Sequence, residues 1–397
     1  MSPLPNPIPS RFYSLDAVRG LAALTVLLWH WQHFLYAGPI DASYRMSDQP
    51  FYQQLSFFYH WGWIAVDFFF SLSGFVFFWL YAKSITDGKV SGYKFFVMRL
   101  SRLYPLHILT LTIVIVGQWI YHSSNNEFFV YKTNDTFHLI LNIFMASNWG
   151  FQDGASFNGP IWSVSVEVLL YVAFFILCFR GAARIPMLIF LVLLGMGVAK
   201  VSPEIGRGIV SFFAGGIAFH GYNWLRQSPT GDRLIPTFWL VAAAAWVWVI
   251  LEFQSGLPSK ISADILGHIL PQQGQDLVIK LASKVWIYAI SILLFPMTII
   301  SLALIETRRG TLGRRVSFIG HLSYSSYLIH FPLQLLFIII AGWLGLDRDF
   351  FYTNLSFIVF IATLIPICFA SYYFFELPMQ SKLRKLLNPK LVLAESK

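Results

Sequence analysis

Arg19 and His30 lie in one apolar run, Ser14-LDAVRGLAALTVLLWHW, with His30 eleven residues after Arg19. At 100° per residue this spacing is roughly three helical turns, so both side chains project from one face, roughly 16 Å apart along the axis. A guanidinium and an imidazole inside a membrane span are costly, and such groups mark a polar interior where function is carried out. Similar runs hold Asp67 in GWIAVDFFFSLSG, Arg99 and Arg102 in RLSRLYPLH, Glu167 in IWSVSVEVLLY and His330 in SYSSYLIHFPL. Arginines suit the phosphates of a soluble donor, which they hold by charge-assisted hydrogen bonds. A carboxylate beside an imidazole fixes its tautomer and stabilises its protonated form. His30 is then placed to deprotonate a hydroxyl or to carry a group briefly. Ser71, Ser73, Ser163 and Tyr327 are candidate oxyanion donors, and the sequence does not choose among them. A proton-coupled transporter or flippase uses the same residue types, so the residues alone leave enzyme and transporter open, with a non-catalytic scaffold third.

The elements that must position these residues are membrane helices. The chain has 397 residues, 56% hydrophobic and 12% charged, with mean hydropathy +0.61. Soluble domains carry about 25% charged residues. The expected fold is an all-α polytopic membrane protein of about ten transmembrane helices, near 14–36, 59–82, 103–122, 162–179, 185–200, 206–221, 235–252, 285–305, 317–342 and 353–376. The segment 136–149 is apolar but short, and fits a re-entrant or surface position. The chain reads as one membrane domain over 1–397, with an N-terminal tail at 1–13 and a C-terminal tail at 377–397. The Pro-rich start lacks a basic n-region, so no removable signal peptide is expected. Cys178 and Cys368 both fall in apolar runs, which argues against a disulfide framework or a metal site.

Charge sets the orientation. Nineteen of the 28 Lys and Arg residues fall in one alternating set of ends and loops, eight in the other, and Arg19 lies within a span. The positive-inside bias places both termini in the cytoplasm and explains the +9 charge without a nucleic-acid partner. On 1.5 Å per residue, Arg19 is expected roughly 8 Å in from the cytoplasm and His30 roughly 24 Å in. Asp67 and Glu167 are expected roughly 12 and 8 Å below the outer surface, and His330 roughly 20 Å up from the cytoplasm. His30, Asp67, Glu167 and His330 would then share the outer half. Each residue also has a plainer role. Arg19 can snorkel, Arg99 and Arg102 can be topogenic, and His30, His330, Asp67 and Glu167 can join helices. Glu376 at a span end suits a salt bridge, Gly215-Gly216 suits close helix packing, and His107 has no evident role.

Six segments in order resemble the acyltransferase 3 family: LDAVRGLAALTVLLWH with R-x10-H, VDFFFSLSGFVFF, RLSRLYPLH, WSVSVEVLLY, LSYSSYLIHFPL and FFELP. Val168 departs from the pattern, since many members carry a second acidic residue there. The resemblance covers nearly the whole chain and implies a stand-alone membrane O-acyltransferase, without the fused esterase-like domain of some members. It implies acetyl-CoA or another acyl-CoA as donor and a hydroxyl acceptor. That acceptor is most often a sugar of a surface polysaccharide or glycolipid, and sometimes a small molecule. On this resemblance His30, Glu167 and Asp67 are the candidate catalytic residues. Arg19, Arg99 and Arg102 are candidates for the donor. Ser71, Ser73, Trp162, Ser163, Tyr327 and His330 are supporting candidates, with no metal. The expected location is the bacterial cytoplasmic (inner) membrane, among membrane lipids. The outer loops 37–58, 122–160 and 253–284 are the expected acceptor surfaces.

Overall fold

The backbone of a chain this apolar must satisfy its own hydrogen bonds within helices, because lipid offers no partner. The computed structural model describes residues 9–35, 44–228, 231–256, 286–310 and 312–387, and every regular element among them is helical. Helix α1 (Tyr13–Trp29) tightens into a 3-10 turn, His30–Phe34. Helix α2 (Tyr52–Trp61) continues through a short turn into α3 (Ala65–Phe77) and, past a π-turn, α4 (Lys83–Thr86). Then come α5 (Gly92–Asn125), α6 (Thr136–Ile143), α7 (Trp162–Phe179), α8 (Ile185–Val198), α9 (Pro203–Gln227) and α10 (Gly231–Ser255). The remainder is α11 (Phe295–Arg309), α12 (Phe318–His321), α13 (Ser323–Trp343), α14 (Asn354–Ala370) and α15 (Leu377–Leu387).

The fold is that of an all-α polytopic membrane protein. Among the described residues seven helices are long and apolar enough to cross a membrane: Tyr52–Thr86, Gly92–Asn125, Gly159–Phe179, Arg233–Ser255, Trp286–Arg309, Ser323–Trp343 and Asn354–Leu387. Helices α1, α8 and α9 lie at the other three positions expected from the sequence. Several helices outrun the expected spans. In place of 103–122, α5 begins at Gly92, because the Ser91 hydroxyl accepts from the Lys94 N–H at 3.3 Å and caps a polar first stretch carrying Arg99 and Arg102. The short segment near 136–149 forms α6, with Phe137, Ile140 and Ile143 exposed and His138 and Asn142 buried. His107 has a use after all: its Nε2 lies 2.7 Å from the Asn142 carbonyl and ties α5 to α6.

Two devices fix the helices that matter below. Phe12, which precedes α1, has no capping side chain. The buried Glu306 of α11 takes its place, accepting from the Tyr13 N–H (2.7 Å), the Ser14 N–H (2.9 Å) and the Ser14 hydroxyl (2.6 Å). A carboxylate at a helix N-terminus also meets the positive end of the macrodipole. Second, α3 and α9 touch backbone to backbone. A Cβ on Gly215 would overlap the Ser71 carbonyl oxygen, and one on Gly74 the Phe212 carbonyl oxygen. Around this crossing Phe77 meets Phe95, Phe174 and Phe212 edge-on at 5.8, 5.4 and 5.8 Å, joining α3, α5, α7 and α9.

Gly215→Val therefore forces α3 and α9 apart, at a cost of about 1–3 kcal/mol or more. The expected outcome is a large loss of monodisperse protein on size-exclusion chromatography in detergent, with a lowered Tm in whatever survives. The control Gly342→Val, at a glycine with open space around it, should leave both unchanged.

Candidate active site

The site begins where α1 ends. In the 3-10 turn side chains three residues apart eclipse, and His33 accordingly sits over His30, ring centroids 4.7 Å apart and tilted by 32°. The His330 ring of α13 lies nearly parallel to that of His30, centroids 4.8 Å apart and tilted by 19°. Pro332 helps to place it. Its missing N–H leaves the Leu328 carbonyl without a helical donor, and the Asn158 side-chain amide donates to that oxygen at 3.1 Å. The part of α13 that carries His330 is thereby held to the turn leading into α7.

Carbonyl oxygens settle the tautomers. The Ser326 carbonyl lies 3.2 Å from His330 Nδ1, so Nδ1 carries the hydrogen and Nε2 accepts. His30 Nδ1, 3.0 Å from that Nε2, must then donate. His30 Nε2 is left with its lone pair and makes no hydrogen bond among the described residues. Gln334 repeats the logic. Its Nε2 donates to the His30 carbonyl at 2.9 Å, so its Oε1 accepts from His33 Nδ1 at 3.2 Å. His33 Nε2 accordingly accepts, 3.5 Å from the Tyr131 hydroxyl. The partner of His30 is an imidazole, where the sequence reading looked for a carboxylate. His33 and Gln334 escaped that reading, although the signal was present. They sit three residues after His30 and four after His330, on the faces those histidines already marked.

Three cavities are lined by the candidate residues, and His30 lines one of them. The first, about 440 Å³, holds Arg11, Arg19, Arg99, Arg102 and Arg384 against the carboxylates of Asp16 and Glu376. Arg19 is largely committed within the protein: it donates to the Ser323 hydroxyl (3.1 Å) and the Gly320 carbonyl (2.7 Å), and pairs with Asp16 (3.1 Å). Arg99 donates to the Tyr81 hydroxyl and lies over the rings of Phe77 and Tyr81. Arg102 is exposed and makes no hydrogen bond or ion pair among the described residues. Glu376 makes no salt bridge there either. The π-turn Ser371–Glu376 turns it inward, and it accepts from the hydroxyls of Ser325 (2.5 Å) and Ser371 (2.9 Å).

The second cavity, about 130 Å³, shares Arg19, Arg99 and Arg102 with the first and runs past Ser73, Ser163, Glu167, Tyr324 and Tyr327. Glu167 therefore lies among the arginines, accepting from Ser73 at 2.6 Å, and does not join His30. Helix α7 starts inside the protein: residues 156–161, which lead into it, are all buried. The third cavity, about 410 Å³, shares Val66 with the second. It brings His30 together with Trp29, Trp63 and Trp162 and with the polar side chains of Asn148, Gln152, Asp153, Glu204 and Arg207. Part of the 122–160 loop is thus at the site, while 36–43 and 257–285 lie outside the described residues. Asp67 is 1% exposed and forms an ion pair with Arg207 of α9, Nε to Oδ1 3.1 Å, and has no contact with His30. Arg207 also stacks on Trp63 and Trp162, 4.7 and 5.7 Å from the ring centroids.

Comparison with known proteins places this architecture. A family model described as "Acyltransferase domain" matches residues 12–375. Over 106 residues the chain is 33% identical to "Protein 2 in picA locus" of Rhizobium radiobacter, a match that covers 27% of this chain. The chain spans 45% of that curated relative's length. No solved structure matches.

Proposed function

The chain belongs to the Acyltransferase domain family that matches residues 12–375, and we propose that it moves an acyl group, acetyl in the first instance, from cytoplasmic acyl-CoA to a sugar hydroxyl across the membrane. One observation carries the reading. Five arginines line one cavity, three of them also line a narrower second one, and the second shares Val66 with a third that is lined by His30 and three tryptophans.

The arginine end suits the phosphates of CoA, with Arg102 free to bind them and Arg19 and Arg99 shaping the wall. The positive-inside bias supports placing that end, and both termini, in the cytoplasm of a bacterial cell. The middle cavity suits the pantetheine arm. At the far end, flat aromatic faces flanked by carboxylates and amides are the chemistry that holds a sugar ring, as in a surface polysaccharide or a glycolipid. His30 Nε2 takes the proton of the acceptor hydroxyl, and that oxygen bonds to the thioester carbon. The C–S bond then breaks, and the CoA thiolate receives the proton from His30. His330 holds His30 in the productive tautomer and shares the positive charge that forms on it. Glu167 orders the donor passage, and Asp67 acts through Arg207.

The reading is tested by mass spectrometry of surface glycans from cells with the protein, without it, and with His30→Ala at normal abundance. An acetyl ester present only with the unaltered protein supports it. Identical glycans in all three overturn the sugar acceptor. In a purified assay His330→Phe leaves the His30 Nδ1 hydrogen without its acceptor, and kcat should fall on the order of 10²- to 10⁴-fold. Arg102→Ala removes a charge-assisted contact of about 1.5 kcal/mol. The KM for acyl-CoA should rise about tenfold, with kcat little changed and no effect on the KM for the acceptor.

A further inference from the structure

Attack of a hydroxyl on a thioester carbon places a negative charge on the carbonyl oxygen, and a buried site needs a donor aimed at it. The obvious hydroxyls are all spent. The Ser71 hydroxyl donates to the Ser211 carbonyl at 3.0 Å, and that of Ser73 to Glu167 at 2.6 Å. Tyr327 donates to the Pro160 carbonyl at 2.7 Å, so its contact with Ser163 at 2.6 Å uses the Ser163 hydrogen. A hydroxyl has one hydrogen, and in each of the four it is committed to the protein.

Arg207 is different. Its Nε and Nη2 are fixed by Asp67 (3.1 to 3.3 Å) and by the Trp63 carbonyl (3.3 Å). Its plane is held against two tryptophan rings. Nη1, with two hydrogens, makes no hydrogen bond among the described residues, and the side chain is 21% exposed where it lines the His30 cavity. The backbone contact at Gly74 and Gly215 holds α3 and α9, which carry Asp67 and Arg207, at fixed separation.

We propose that Arg207 is a catalytic residue: its Nη1 hydrogens bind the oxyanion formed when the acceptor oxygen attacks the thioester, with Asp67 as the positioning residue that aims it. This rests on the acyl-transfer reading above. The new C–O bond draws the carbonyl electron pair onto oxygen opposite Nη1. The acceptor proton is on His30 Nε2 at that moment, and collapse expels the thiolate, which takes that proton. Asp67 neutralises the guanidinium in the resting site, so the burial of an isolated cation is avoided. The arrangement also accounts for a buried carboxylate that never meets His30.

The test is purified protein in lipid nanodiscs with acetyl-CoA and the acceptor identified from the glycan comparison. The variant is Arg207→Gln with Asp67→Asn, which leaves no buried charge unpaired, with Tm as the folding control. The expected result is a 10²- to 10³-fold loss of kcat, with the KM for acetyl-CoA unchanged. Guanidinium ion should partly restore the rate to Arg207→Ala but not to His30→Ala. A double variant within threefold of the unaltered kcat overturns the proposal, as does a loss confined to KM. Should the double variant misfold, the rescue arm decides: no restoration in a folded Arg207→Ala overturns it. If the unaltered protein itself transfers no acetyl group, the acyl-transfer reading has failed instead.

Discussion

The carbonyl oxygen of Ser326 decides which nitrogen of His30 keeps its lone pair. It can only accept, so it fixes the hydrogen of His330 on Nδ1, and the hydrogen of His30 follows onto its own Nδ1. Every further link serves to keep these two rings hydrogen-bonded. Pro332 and Asn158 set the position of α13, Gln334 bridges His30 to His33, and Glu306 anchors the far end of the helix that delivers His30. An imidazole pair suits an apolar interior. Each ring retains an acceptor nitrogen and is neutral, so no charge is buried until a proton arrives. A resting carboxylate beside His30 would carry its desolvation cost at all times.

The permanent charges are handled by pairing or by access to a cavity. Asp67 is consumed by Arg207, and Arg19 by Asp16 and two oxygen acceptors. Glu306 is used on backbone N–H groups, and Glu376 on two serines. Against that pattern an unpaired Arg102 and a guanidinium with one amine to spare stand out. They line different cavities, Arg102 the first and second and Arg207 the third, together with His30.

Much of this was legible in the chain. The apolar runs gave helices where helices occur, and both residues of the R-x10-H pair, Arg19 in α1 and His30 in the 3-10 turn after it, meet α13. What periodicity cannot supply is which side chain of one helix meets which of another. The depth count assumed that each apolar run starts at the membrane surface, and depth alone does not tell that Glu167 meets Ser73 and the arginines and not His30. Asp67 looked like a partner for an imidazole, since its ion partner is 140 residues away on α9. His33 could have been found from its i,i+3 spacing to His30, while the 3-10 turn that carries both is announced by no hydropathy pattern.

Arg207 shows how the charge rule can be read for its exceptions. The positive-inside bias explains most of the cations in this chain, which makes those on the depleted side the informative ones. Among the described ones Arg207 lies inside the glycine-rich first turns of a helix, in Pro203-EIGRG. A lone cation there has no topogenic purpose and must be held by something. The carboxylate that holds it, Asp67, lies in the run that otherwise reads as pure core. Two polar residues that each look anomalous in sequence are one device in space. The fold brings them together because Gly74 and Gly215 let α3 and α9 touch.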